Sequence, residues 1–306
     1  MNILLLGFAF AVPYHVMRCA VAAGHQVSVL GNGPAHGLLR SPSCADLYLS
    51  DFDYRTQDYR ILVPEIAHLS IAIGFDMVLP SDDVSTRALA AIGEEIPLPT
   101  TLVPTIEIFD TLNDTTRFAH FCVEHGIPVG DSTNGETLGV TALCKQGQIV
   151  AHTVEDRSER QFRIHEKPDL VVAVARLVEA TGFDGILHCG AAIDRTTGLA
   201  HLTRCRPCFA ESIHPTMIAG LNFADAVINL SQGGLPTQPT LPPQTIKFYP
   251  ASIRFLATWW RLSRNDRQML RYHWSEREML RNHIDDSDVF VRPPEDYASP
   301  AERLAS

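Results

Sequence analysis

Apolar positions in the first hundred residues come as short solid runs, separated by longer stretches with helical spacing. Residues 3–7 (ILLLG) are an unbroken apolar run ending in glycine, which predicts a buried strand entering a turn. A helix over 13–24 is expected next, opened by Pro13 and closed by Gly24. The runs at 26–31 (QVSVLG), 46–50 and 76–80 predict further strands, and 59–74 a helix that stops at glycine. Ser81-Asp82-Asp83 follows the last of these strands with side chains suited to capping, so a helix over 84–93 is predicted. Strands and helices in alternation predict a small parallel sheet covered on both faces.

From residue 104 the pattern changes. Residues 104–126 read as one helix, or as two joined at Asn113-Asp114, and Ile127-Pro128 leaves in extended form. A short glycine-bearing stretch over 130–139 precedes two antiparallel strands, 140–144 and 148–153, joined at Lys145-Gln146-Gly147. Residues 170–181 form an amphipathic helix. Residues 186–193 and 199–205 make a hairpin around Asp194 to Gly198, and 223–230 a further helix. A proline-rich connector covers 233–250, and helical spacing returns from 251 to 283. The expected domains are therefore 1–103, 104–232, the connector 233–250 and a helical tail 251–306.

Composition narrows the chemistry. A formal net charge of −10 argues against a nucleic-acid binder, which needs a basic surface. Seven cysteines, an odd number in a chain of 306 residues, read as reduced thiols and not as a disulfide framework. The apolar start lacks a basic flank, and no apolar run reaches the ~20 residues of a membrane span. A cytoplasmic protein is expected. The first turn, Gly7-Phe8-Ala9-Phe10-Ala11-Val12, has one of the three glycines that a dinucleotide fingerprint requires. Cys205-Arg206-Pro207-Cys208 is a lone C-x-x-C. With His188 and Cys189 it could suggest zinc, yet residues 188 and 189 point to opposite faces of a strand. Plain thiols are the simpler reading.

The order of these pieces resembles the ATP-grasp superfamily, particularly its carboxylate–amine ligases. Val78 to Asp83 resembles the end of that family's N-terminal sheet. Leu112-Asn113-Asp114 through Phe118 and Gly126-Ile127-Pro128 resembles its "N-D-K … F … G-I-P" helix. Residues 143–152 (LCKQGQIVAH) resemble the strand pair opening its C-terminal half, and residues 183–230 its metal hairpin and following helix, with Ala219-Gly220-Leu221-Asn222-Phe223 similar to "A-G-v-N-f". The resemblance implies an α/β chain: a Rossmann-like pre-ATP-grasp domain, then a truncated ATP-grasp α+β domain, then the helical tail. It also implies ATP and magnesium as cofactors and ligation through an acyl phosphate.

The departures point elsewhere. Thr115 stands where the family's first nucleotide lysine follows Asn-Asp, and threonine cannot neutralise phosphate. The subdomain that carries a second lysine falls between Pro128 and Gly135, where only a few residues remain. The carboxylate of the first hairpin strand is replaced by Gly190. In the second strand's "E-i-N-P-R" those positions are Arg204, Arg206 and Cys208. Magnesium needs oxygen ligands, which a glycine and two arginines do not supply. Arg204 and Arg206 lie two apart, hence on one strand face, and with His188 could hold a carboxylate or phosphate. Pairing with acids such as Glu211, or solvation, is the plain alternative. Asp82 and Asp83 sit at a strand end where open α/β sheets bind ligands, though capping explains them equally well. Two functions stay open: a degenerate, non-catalytic or regulatory ATP-grasp protein, or a reduced ATP-dependent carboxylate–amine ligase.

The tail interleaves Phe255, Leu256, Trp259, Trp260, Leu262, Met269, Leu270 and Trp274 with arginines. Such a helix docks on its own protein, on a partner or second copy, or on a membrane surface. Docking that buries Trp259 and Trp260 is the reading preferred from the sequence.

Overall fold

A computed structural model describes residues 1–53, 56, 58–130, 135–157, 161–194, 198–236, 238–247 and 263–274. The described chain falls into two compact units, Met1–Thr101 and a second ending at Ser275 that starts at Leu102.

In the first unit, β1 (Asn2–Gly7), α1 (Ala11–Ala22), β2 (Gln26–Gly31), β3 (Leu47–Leu49), α2 (Leu62–Ile73), β4 (Met77–Pro80) and α3 (Asp83–Ile92) follow in order. The sheet is entirely parallel with strand order β3-β2-β1-β4. Ile3, Leu4, Leu5 and Leu6 are fully buried, as expected of a central parallel strand covered on both faces. The predicted stops also appear: α2 ends on Gly74 with φ 78°, a left-handed cap that only glycine adopts at no steric cost.

The second unit begins with α4 (Ile106–Asn113) and α5 (Thr115–Glu124), broken at Asp114. Asp114 Oδ1 accepts from the N–H groups of Thr116 and Arg117 and so starts a new helix. Then come β5 (Gly135–Lys145), β6 (Gln148–Arg157), β7 (Gln161–His165), α6 (Pro168–Thr181), β8 (Gly185–Asp194), β9 (Ala200–Arg206), α7 (Ile213–Ala219), α8 (Phe223–Ser231), β10 (Gln244–Lys247) and α9 (Arg264–Trp274). The strands form one antiparallel sheet in the order β10-β7-β6-β5-β8-β9.

Two sequence expectations are corrected. The strand expected from residue 140 starts at Gly135, because the glycine-bearing stretch pairs along β8 from Gly135↔Asp194 onward. The connector 233–250 carries a strand: its chain passes β6, where His152 N–H donates to Pro239 O (2.8 Å), and then pairs with β7 as β10. Of the tail, residues 263–274 are described; they carry α9, which groups with the second unit. Trp259 and Trp260 lie outside the described residues.

Period-two alternation gives the antiparallel sheet two different faces. One face buries Leu138, Val140, Ala142, Cys189, Ala191 and Leu202 against α4, α5 and α6, with Phe118, Leu177 and Phe183 filling the layer. The other face carries the polar residues of the candidate site.

Candidate functional site

The polar face is assembled by strand register. On β6, Glu155 lies opposite Gly139 of β5, and Thr153 opposite Thr141. Across β5, Thr141 faces His188 of β8, and Gly139 faces Gly190. Across β8, His188 faces Arg206 of β9, and Gly190 faces Arg204. Cross-strand partners project to the same side. The four strands therefore bring Thr153 and Glu155, Thr141, His188 and the two arginines into one band.

A bulge sets its outer edge. Pairing runs Gly190↔Arg204 and then Ala191↔Leu202, leaving Thr203 as the extra residue on β9. Without that insertion Leu202 would share the arginines' face. With it, Cys205 and Leu202 both turn into the apolar core while Arg204 and Arg206 stay out.

Two glycines, side by side on β5 and β8, form the floor, and each is covered by a neighbour's side chain. A Cβ at Gly139 would lie 2.7 Å from His188 Cε1, so the imidazole rests directly on that backbone. A Cβ at Gly190 would meet Thr203 Oγ1 at 2.9 Å, Arg204 Cγ at 3.0 Å and Arg204 Nε at 3.1 Å. The Arg204 side chain thus lies across the spot where a side chain at position 190 would begin.

The buried end of the band is an internal hydrogen-bond chain. Thr153 Oγ1 donates to Glu155 Oε2 (3.0 Å) and Thr141 Oγ1 to Glu155 Oε1 (3.3 Å), while His188 Nδ1 lies 3.0 Å from Thr141 Oγ1. Glu155, Thr141 and Thr153 are all buried. Burial first, then the charges of Arg204 and Arg206, push the His188 imidazole down to about 4. His188 is therefore neutral through the physiological range. Arg204 and Arg206 are exposed, and no protein carboxylate pairs with either among the described residues.

The low imidazole value has a consequence for stability. Above pH 6.5, the ordinary histidine value, the group is neutral folded and unfolded. Between 6.5 and about 4 only the unfolded chain takes up the proton, so stability falls as pH falls across that window. The loss at its acid end is about 3 kcal/mol. Urea unfolding at about pH 7 and about pH 4.5 should show this share of the acid loss in the native chain and not in His188→Gln.

The remaining candidates are not members of this band. Thr115 is exposed in the first turn of α5, a helix whose Phe118 and Cys122 pack on the opposite, apolar face. Asp82 and Asp83 belong to the first unit. Asp82 Oδ1 accepts from Ser85 N–H (2.8 Å), and Oδ2 from the N–H groups of Phe8 (2.6 Å) and Ala9 (2.9 Å), while Asp83 is exposed. Cys205 and Cys208 are buried, and neither is in a disulfide. Burial and the neighbouring Cys189 thiol raise Cys205 well above the usual thiol value, which disfavours the reactive thiolate. Among the described residues no group of three or more His, Cys, Asp or Glu side chains could hold a metal ion.

Sequence reasoning missed Glu155 and its two threonines. Their signal is the alternation of Thr153 and Glu155 with the buried Val154 on β6, which extends the strand past its predicted end at 153.

No protein-family model matches the sequence, and no curated protein matches it. Solved structures do match. Pyruvate carboxylase of Rhizobium etli aligns at TM-score 0.58 with 15% identity over 78% of this chain, which spans 27% of that polypeptide. L-amino acid ligase of Bacillus licheniformis aligns at 0.58 with 12% identity, over 78% of this chain and 75% of that one. N5-carboxyaminoimidazole synthetase of Staphylococcus aureus aligns at 0.59 with 12% identity, over 80% and 81%. These neighbours are ATP-grasp proteins, and at such identity the likeness is one of fold. The chain has a partial ATP-grasp fold, as its sequence resemblance implied. No helix among the described residues is long and apolar enough to cross a membrane.

The cofactors that this fold implies can be tested against the residues in place. The hairpin positions opposite one another offer two guanidinium groups, a neutral imidazole and a glycine whose space Arg204 fills. Among the described residues the carboxylate in the band, Glu155, is buried and held by two threonine hydroxyls. Magnesium requires several oxygen ligands in near-octahedral array. This set does not fit it.

Proposed function

We propose that this protein is a degenerate ATP-grasp protein, non-catalytic or regulatory, that binds a small oxyanion where its relatives hold metal. The observation that carries the reading is Arg204 lying across Gly190, with Arg206 two residues along the same strand face. Both guanidinium groups lack a carboxylate partner among the described residues, so their charge is available to a ligand. Arginine presents parallel N–H donors that suit carboxylate or phosphate oxygens, and these bonds need no metal.

Calorimetry with Mg-ATP tests the reading. No binding is expected at ligand concentrations up to about 1 mM, which corresponds to about 4 kcal/mol. A micromolar dissociation constant, about 8 kcal/mol, would overturn it. Arg204→Glu alone should not create Mg-ATP binding, because Thr115 still stands in the lysine position and Pro128 still lies only a few residues before β5. Phosphate should bind with equal affinity in magnesium and in EDTA.

A further inference from the structure

The hydrogen-bond chain behind His188 determines what kind of anion the arginines can share with it. Glu155 is an acceptor at both oxygens and is buried, so it draws the only proton of Thr141 Oγ1 toward itself. Thr141 Oγ1 is then left as the acceptor for His188, 3.0 Å away, which places the imidazole proton on Nδ1. A second interaction favours the same tautomer, since Nδ1 lies 3.8 Å from Glu155 Oε1. Nε2 is therefore a lone-pair acceptor. It makes no hydrogen bond among the described residues, and its ring lies on the Gly139 floor beside the strand that carries Arg204 and Arg206.

We infer that the site selects an oxyanion that carries its own hydrogen-bond donor. The charged oxygens would go to Arg204 and Arg206, and the donor to His188 Nε2. Two kinds of small molecule share that chemistry. Hydrogen phosphate keeps an O–H at neutral pH, and a 2-hydroxycarboxylate carries a hydroxyl next to its carboxylate. Sulfate and acetate match them in shape and charged oxygens but bring no donor. Facing sulfate or acetate, Nε2 loses its water and finds nothing in return, an unpaired acceptor beside a bound charge. This inference rests on the anion-binding reading above and names its ligand class.

The test is calorimetric titration of the full-length protein at pH 7 with two matched pairs, phosphate against sulfate and glycolate against acetate. Phosphate should bind about tenfold more tightly than sulfate if the phosphate-type ligand is the natural one. The same ratio in the glycolate pair alone would assign the hydroxycarboxylate. Equal affinities within both pairs would overturn the selectivity while leaving the anion site standing. No binding by any of the four would overturn the anion site itself. Thr141→Val, which frees the imidazole to carry its proton on Nε2, should abolish the preference within the pair that shows it. Should that variant fold poorly, long-range 1H–15N spectra of the native protein give the answer directly. His188 Nε2 must appear as an unprotonated ring nitrogen, and a protonated Nε2 would overturn the inference.

Discussion

Replacing Asp82 by alanine is expected to destabilise the first unit by about 3–5 kcal/mol, read as a shift in the urea midpoint. The side chain is 3% exposed, and both of its oxygens are engaged with the protein's own backbone. Its loss strands the buried N–H of Phe8 at about 1–3 kcal/mol, gives up the part-buried bond from Ala9 at about 1 kcal/mol, and removes the cap of α3 at about 1 kcal/mol more. A side-chain amide at this position would keep one oxygen and set its N–H₂ against the other donors, so Asp82→Asn should also destabilise, by a smaller amount. A loss under about 1 kcal/mol for alanine would mean that water can reach the turn and replace the carboxylate.

This residue also bears on ligand binding. Asp82 follows β4 and reaches the turn after β1, the place where strand order reverses and where open α/β sheets take anions on backbone N–H groups. Here the anion is part of the protein. The first turn has one of the three glycines of a dinucleotide fingerprint, and the carboxylate adds a second argument against pyrophosphate there: the N–H donors of Phe8 and Ala9 are already used.

How much of this was legible follows from where the signals are local. Solid apolar runs, capping residues and glycine stops each act within a few residues, so β1, β2, β4, α2 and α3 could be placed from sequence. The hairpin of β8 and β9 was legible for the same reason. Its register sets Gly190 opposite Arg204, as the spacing of the two strands implied. β7 and β10 were not. They are five and four residues long, QFRIH and QTIK; β7 pairs with the neighbouring β6, and β10 takes its strand state from β7, 80 or more residues earlier in sequence. The start of β5 was hidden by its glycines, which normally weaken a strand. Gly139 is glycine because the His188 ring occupies the space above it, a reason visible only in three dimensions. The polar chain from Glu155 to His188 was missed on the same ground, since its members come from three strands.

Ending the chain after Leu262, which removes α9, is expected to cost about 3–6 kcal/mol and to leave the second unit prone to aggregation. From sequence the tail had three possible fates, docking, partner binding or membrane contact. In the described part α9 lies against β10 and α7 of its own unit. Met269 is fully buried and Tyr272 is buried with its ring stacked on His214 at 4.9 Å. At about 1.5–3 kcal/mol for each large side chain removed from water, those two account for the estimate. The start of the helix is fastened as well: Ser263 and Asp266 exchange hydrogen bonds across its first turn, and Asn265 Nδ2 donates to Gln244 Oε1 of β10 (2.8 Å). Loss of α9 would therefore loosen the edge strand β10 along with uncovering His214. A point variant separates packing from the rest of the tail. Met269→Ala keeps the helix and its polar contacts, and should cost about 2–4 kcal/mol through the cavity it opens. If both the shortened chain and Met269→Ala melt within about 1 °C of the native protein and stay monomeric, α9 contributes nothing to this fold and its apolar face belongs to a partner.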